Sequence, residues 1–296
     1  MPAPAEPQTR LALASAGLLG SPHGPHRARP VGPALAFARA IRKGAFVALN
    51  ERILPPSPVL LALEGRAWLE FAALVPALPL LARAPRGDGH PVLVLPGWLA
   101  NDRSTWALRR FLRDRGYHVH GWRLGRNLGP DAGTVAGLGR RFVALRARHE
   151  QKLSLVGWSL GGIYARELAR RFPADVRQVI TLASPFRAPS ASSVARFYPR
   201  RRSQARPAPR TPLDAPLPVP SSSLYSRSDG VVAWRSCLQD EGPLAENIEV
   251  RSSHCGMGHH PGALLVIADR LAQPEGAWRP YTPPALPWRA ALGLAG

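Results

Sequence analysis

The chain has 296 residues, 45% of them hydrophobic, which is enough for one α/β domain with a large core plus additional segments. Its formal charge is +20, from 39 basic and 19 acidic residues, and every basic residue except Lys43 and Lys152 is an arginine. The arginines are spread along the whole chain without a zinc-finger, RNA-recognition or helix-turn-helix pattern, so no nucleic acid is expected, and an anionic membrane surface is the partner that the charge suits.

Residues 1–34 are rich in Pro, Ala and Gly and read as a disordered leader. The apolar run Leu11–Leu19 is too short to cross a bilayer, and Glu6 stands where a signal peptide would carry basic residues. Residues 35–85 form an N-terminal helical segment, with a basic helix expected over Phe37–Phe46. Its stretch Val59–Leu81 is apolar but interrupted by Glu64, Arg66, Glu70, Pro76 and Pro79. Those charges and prolines argue against a membrane span, and Val59–Leu74 is expected as an amphipathic helix on the domain or on a membrane surface. A cytoplasmic or peripheral-membrane protein of bacterial type is expected, with secretion left open.

From residue 86 to 273 strands alternate with helices, the pattern of a mostly parallel sheet flanked by helices. The expected strands are Val92–Leu95, Tyr117–Trp122, Leu153–Val156, Val176–Leu182, Ser221–Ser226 and Ile248–Arg251. Helices are expected over Ser104–Arg115, capped by Asn101 or Asp102, and over Thr134–His149, Ile163–Arg171 and Gly262–Ala272. Residues 186–218 hold Arg200-Arg201-Arg202 among many prolines. They break the rhythm and read as an insertion, either a lid or a solvated loop. Residues 274–296 form a Pro- and Trp-rich tail.

The pentapeptide Gly157-Trp158-Ser159-Leu160-Gly161 lies between an apolar strand and a helix. That is the context in which Gly-x-Ser-x-Gly forms a tight turn holding a serine hydroxyl clear of the sheet. A serine hydroxyl needs a base to take its proton and a carboxylate to orient that base. Asp229 follows the strand Ser221–Ser226, ahead of Asp214 and Asp240 as the acid. His254 is the first histidine after the last strand, and its rivals His259 and His260 adjoin Pro261 at a helix start. Backbone N–H groups of Trp98 and Leu160 are the expected oxyanion donors, and Trp158 is a candidate substrate contact. A metal site on His254, Cys255, His259 and His260 lacks a recognised ligand spacing, so neither a metal nor a cofactor is expected. Cys237 and Cys255 bracket the His254 segment and are read either as one disulfide or as two free thiols.

Val94-Leu95-Pro96-Gly97-Trp98, Gly-Trp-Ser-Leu-Gly, Ser-Asp-Gly-Val-Val and Ser-His-Cys-Gly together resemble the bacterial lipase and esterase branch of the α/β-hydrolase superfamily, and also lipid-remodelling deacylases of the GPI-inositol type. The resemblance covers about residues 90 to 273. It implies an α/β-hydrolase fold, a Ser159–Asp229–His254 triad with Trp98 and Leu160 at the oxyanion hole, and hydrolysis of a small-molecule or lipid ester. Pro96 departs from the family, many of whose lipases carry histidine before the oxyanion glycine. An acyltransferase using the same triad, and a non-catalytic lipid-binding protein of the same fold, are the alternatives.

Overall fold

A computed structural model describes residues 53–195, 211–284 and 293–294. The leader, the helix expected over Phe37–Phe46, the Arg200-Arg201-Arg202 tract and most of the tail lie outside them.

Among the described residues there are six strands, β1 (Pro91–Leu95), β2 (His118–Gly121), β3 (Leu153–Trp158), β4 (Val176–Leu182), β5 (Ser221–Tyr225) and β6 (Ala245–Glu249), of which β1, β3 and β4 are rich in Val, Ile and Leu. All pair in parallel, in the order β2-β1-β3-β4-β5-β6. This is the α/β-hydrolase arrangement that the sequence motifs imply. The central strands β1, β3 and β4 are buried along their whole length, as strands covered by helices on both faces must be.

Among the described residues four helices cover the sheet: α4 (Trp106–Asp114), α5 (Ala132–Arg146), α6 (Leu160–Arg171) and α7 (Pro261–Ala272). Val92, Val94, Val156 and Ile180 pack with Leu108 and Leu112 of α4 and with Leu264 and Ile267 of α7. On the opposite face Leu93, Leu95, Leu155 and Val179 pack with Leu138 and Phe142 of α5 and with Tyr164 and Leu168 of α6. Alternate side chains of each strand therefore serve opposite layers. β1 lies between β2 and β3, so the chain leaves it in one direction and returns on the other side. The loops after β1 and β3 diverge at this switch, where open α/β sheets place their sites.

Several boundaries differ from expectation. Helix α4 begins at Trp106, and Thr105 precedes it without a side-chain cap bond. Asp102, expected as a cap, instead accepts the N–H groups of Trp122 (3.0 Å) and Arg123 (3.1 Å) and so ties the loop after β1 to the end of β2. The last strand lies a few residues earlier than the apolar run Ile248–Arg251 suggests.

The larger difference is N-terminal. In place of one amphipathic helix over Val59–Leu74 there are α1 (Pro58–Ala62), a 3-10 turn (Leu63–Arg66), α2 (Ala67–Ala72) and α3 (Leu74–Leu81). Pro76 is tolerated because it stands in the first turn of α3, where no intrahelical partner for its N–H is missed. Up to Glu70 the polarity of the segment is reversed, whereas Leu74, Ala77, Leu80 and Leu81 of α3 pack on the core. Glu64, Arg66 and Glu70 turn inward, while Trp68 (80% exposed), Leu69 (74%) and Val75 (70%) face outward. Among the described residues no helix is long and apolar enough to cross a membrane.

Candidate active site

Ser159 follows the last residue of β3 and precedes α6, with φ 53° and ψ −121°. A non-glycine residue in such a conformation costs on the order of 1–3 kcal/mol and persists only where its surroundings enforce it. Here they do. A side chain at Gly157 would collide with the backbone of Gly161, and one at Gly161 with the carbonyl of Leu95, so β3, α6 and the end of β1 can meet only through glycines. The Ser159 N–H donates to Leu182 O (2.8 Å), and the Ser159 carbonyl accepts from Gly162 N (3.0 Å).

The loop after β1 passes directly beside the serine. A Cβ on Gly97 would stand 3.1 Å from Ser159 Cβ, so the loop backbone lies against the elbow at Gly97; Trp98 is the next residue of that loop, and Leu160 opens α6. Asn127, fully buried, holds this loop. Its side-chain amide donates to Pro96 O (2.9 Å), its backbone exchanges bonds with Leu99 and Ala100, and its Oδ1 accepts from the Tyr164 hydroxyl (3.2 Å). Sequence reasoning missed Asn127. The only available signal was an asparagine in the long loop after β2.

Asp229 lies in the loop after β5, with both carboxylate oxygens engaged. Oδ1 accepts the N–H groups of Val231 and Val232 (2.8 Å each), and Oδ2 meets His254 Nδ1 at 2.7 Å. A carboxylate can only accept, so Nδ1 carries the proton and Nε2 is left as the basic nitrogen. Burial alone would lower the His254 pKa. The charge and hydrogen bond of Asp229, joined by the charge of Glu64, outweigh burial and raise it above the ordinary histidine value.

Trp158, expected as a substrate contact, is a brace. Its ring is buried against Gly258, and its Nε1 donates to His254 O (3.0 Å), joining the residue before Ser159 to the histidine loop. Trp122 is likewise core, donating to Gly125 O (2.9 Å). The rival acids have other partners, since Asp214 and Asp240 both pair with Arg187. His260 caps α7, accepting from Gly262 N (3.2 Å), as its place before Pro261 suggested. His259 Nε2 meets Ala67 O (3.0 Å), and its ring packs edge-on to Phe71 and Trp158. The bridge considered between Cys237 and Cys255 does not form. Cys237 is buried with its thiol toward Ala233 O, and Cys255 is an exposed free thiol. Among the described residues no three His, Cys, Asp or Glu side chains gather as a metal site.

No protein-family model matches the chain, and no curated protein matches it in sequence. Solved structures do. A pyrethroid hydrolase from Sphingobium faniae JZ-2 is similar at 20% identity, over 63% of this chain and 98% of that one, with a TM-score of 0.44. A structure from the metagenome-derived lipolytic enzymes LipS and LipT matches at 18% identity, over 63% and 93%, with a TM-score of 0.46. An α/β hydrolase from the sediment metagenome of the lagoon of Mar Chica matches at 19% identity, over 60% and 87%, with a TM-score of 0.41. A likeness of this degree is one of fold and carries no substrate across.

Proposed function

We propose that the protein hydrolyses carboxylic esters through an acyl-enzyme on Ser159. The observation that carries this reading is a serine held at positive φ on a strand-to-helix elbow whose preceding residue, Trp158, donates to the backbone of His254, itself hydrogen-bonded through Nδ1 to the buried Asp229. Ser159 Oγ attacks the ester carbonyl carbon as His254 Nε2 takes its proton. The carbonyl oxygen becomes an oxyanion received by the N–H groups of Trp98 and Leu160. The ester C–O bond then breaks, and the alcohol leaves with the proton from His254. Water repeats the sequence on the acyl-enzyme, giving one proton to His254, releasing the acid and restoring the serine. Asp229 keeps the imidazole oriented and stabilises its charged form throughout.

Lipid-like esters fit this protein best. Its N-terminal segment presents Trp68, Leu69, Val75 and Leu78 outward, and between Leu54 and Ala82 no charged residue is exposed. We assign this outer face to a lipid surface, with the surplus of arginine favouring an anionic one. A groove of about 380 Å³ between this segment and α4 pairs the apolar Phe71, Trp106 and Ala107 with the polar Asp102, Arg103, Ser104, Arg109 and His259.

The test is turnover of p-nitrophenyl esters of short and long acyl chains by the wild type and by Ser159→Ala, with fluorophosphonate labelling. Turnover and labelling that both vanish in the variant support the reading. No turnover and no labelling in the wild type would instead make this a binding protein on a hydrolase scaffold.

A further inference from the structure

The sequence shows three charges in an apolar segment, and the structure shows what they hold. Glu64 Oε1 accepts the backbone N–H groups of both Gly230 (2.8 Å) and His254 (2.9 Å), and its Oε2 accepts that of Cys255 (2.9 Å). One carboxylate oxygen thus joins the residue after Asp229 to His254 itself, adding to the Ser226 and Ser228 hydroxyls that tie the same two loops at Ser252 O. Glu70 completes the hold on the histidine loop, accepting Ser253 N (2.8 Å), Ser253 Oγ (2.7 Å) and Ser252 Oγ (3.1 Å). Arg66 donates to Ser228 O (2.6 Å) and Ser228 Oγ (3.0 Å), next to Asp229, and pairs with Glu70 at 3.4 Å. Both loops are shaped for this approach. A side chain at Gly230 would strike the Leu60 carbonyl, and one at Gly256 would strike the Glu70 carboxylate.

We propose that Glu64 is a positioning residue for catalysis, a carboxylate outside the triad that sets the spacing of Asp229 and His254 and adds its charge to the imidazole's surroundings. The proposal rests on the hydrolase reading above. Glu64 touches no reacting atom and acts only through the two loops. Its effect is two-fold. Three N–H donors converging on one carboxylate fix the backbone on either side of the acid–base pair, and a misplacement of about 1 Å at a reacting centre costs roughly a hundredfold. Its negative charge favours the imidazolium that forms when Ser159 gives up its proton. The groups facing His254 are Asp229 from the β5 loop and Glu64 from the N-terminal segment. Arg66 and Glu70 stand behind Glu64, Cys255 is next in the chain, and His259 lies on the far side of Trp158.

The test is Glu64→Gln in the full chain, read by steady-state kinetics and by NMR titration of the His254 ring. Glutamine keeps the shape but loses the charge, and whichever way its amide turns, an NH2 group meets a backbone N–H. We expect kcat to fall about 10- to 100-fold with KM changed less than about twofold, and the His254 titration to move to lower pH. Glu64→Asp, which keeps the charge but withdraws both oxygens, is expected to lose kcat while retaining most of the raised titration, and it decides the matter if the glutamine variant does not fold. A folded Glu64→Gln protein with wild-type kcat and an unmoved His254 titration would overturn the proposal. So would activity lost only in proportion to unfolded protein. If the wild type is not labelled by a fluorophosphonate, the hydrolase reading fails, while the titration, which needs no turnover, still measures the Glu64 effect.

Discussion

The elbow and the N-terminal segment hold the members of one proposed triad by opposite means. At the elbow the marked residues lie within a few positions of each other: Gly157, Ser159 and Gly161 share one turn, although the backbone they let in includes that of Leu95 from β1. In the N-terminal segment the constraints cross the chain, since Glu64 reaches loops 166 to 191 residues away. The elbow places Ser159 through backbone sterics. The segment holds the Asp229 and His254 loops through charged side chains turned inward, with Trp68 and Leu69 left outside. A local device leaves a motif, whereas a long-range one leaves three charges in an apolar stretch.

The comparison breaks most sharply at the serine. Ser159→Ala is expected to lower kcat/KM by about 10⁴-fold or more while leaving the fold and the Asp229–His254 pair intact. Retained turnover would remove the elbow from the chemistry and leave it a tight turn only. Gly161→Ala tests the local device itself. Its Cβ meets the Leu95 backbone, which has no rotamer by which to yield, so the unfolding free energy should drop by about 1–3 kcal/mol and labelling of Ser159 should be lost with it. Unchanged denaturant midpoint and labelling would show that β1 and α6 can part without consequence.

The way each region is built decides how much could be read in advance. The alternation of strands and helices, the elbow and the positions of Asp229 and His254 after β5 and β6 were all legible, because each is a local pattern placed by the order of elements. Strand ends were less so, since β6 gains its register from pairing with β5 and not from its own apolar run. Trp158 was misread because a tryptophan beside a serine looks the same in sequence whether it faces substrate or donates to His254 O. Glu64, Glu70 and Asn127 were illegible as site residues. Their roles consist of hydrogen bonds to backbone N–H and C=O groups, which every residue carries and no sequence pattern marks.

The raised His254 pKa gives a smaller effect that separates the regions by charge. His254 must be neutral to act as base, so kcat/KM should rise with pH through a midpoint above the ordinary histidine value of about 6.5. Stability follows the opposite sense. A group whose pKa is raised on folding contributes fully below its unfolded value, and the contribution disappears as pH rises through the folded one. Between those two values the protein should therefore gain the proposed activity while losing that increment of stability. A midpoint at or below 6.5 would mean that burial, not Asp229 and Glu64, dominates at this imidazole.

The smallest expected effect on chemistry is the one that isolates the outer face. Trp68 is 80% exposed and has no part in the clamp, so Trp68→Asp should leave turnover of a short, soluble ester unchanged. On vesicles the same substitution should weaken binding about tenfold or more, since burying a large apolar side chain contributes about 1.5–3 kcal/mol. Salt divides the two contributions to that binding. Attraction of the arginines to anionic lipid is screened within about 10 Å at 0.1 M salt, whereas insertion of Trp68, Leu69 and Val75 is not. Vesicle binding that falls with salt in the wild type and falls further in Trp68→Asp at high salt would assign both contributions. Wild-type protein that binds neither anionic nor neutral vesicles would remove the lipid surface from the proposal, and the inward-turned charges of Glu64, Arg66 and Glu70 would then serve the clamp alone.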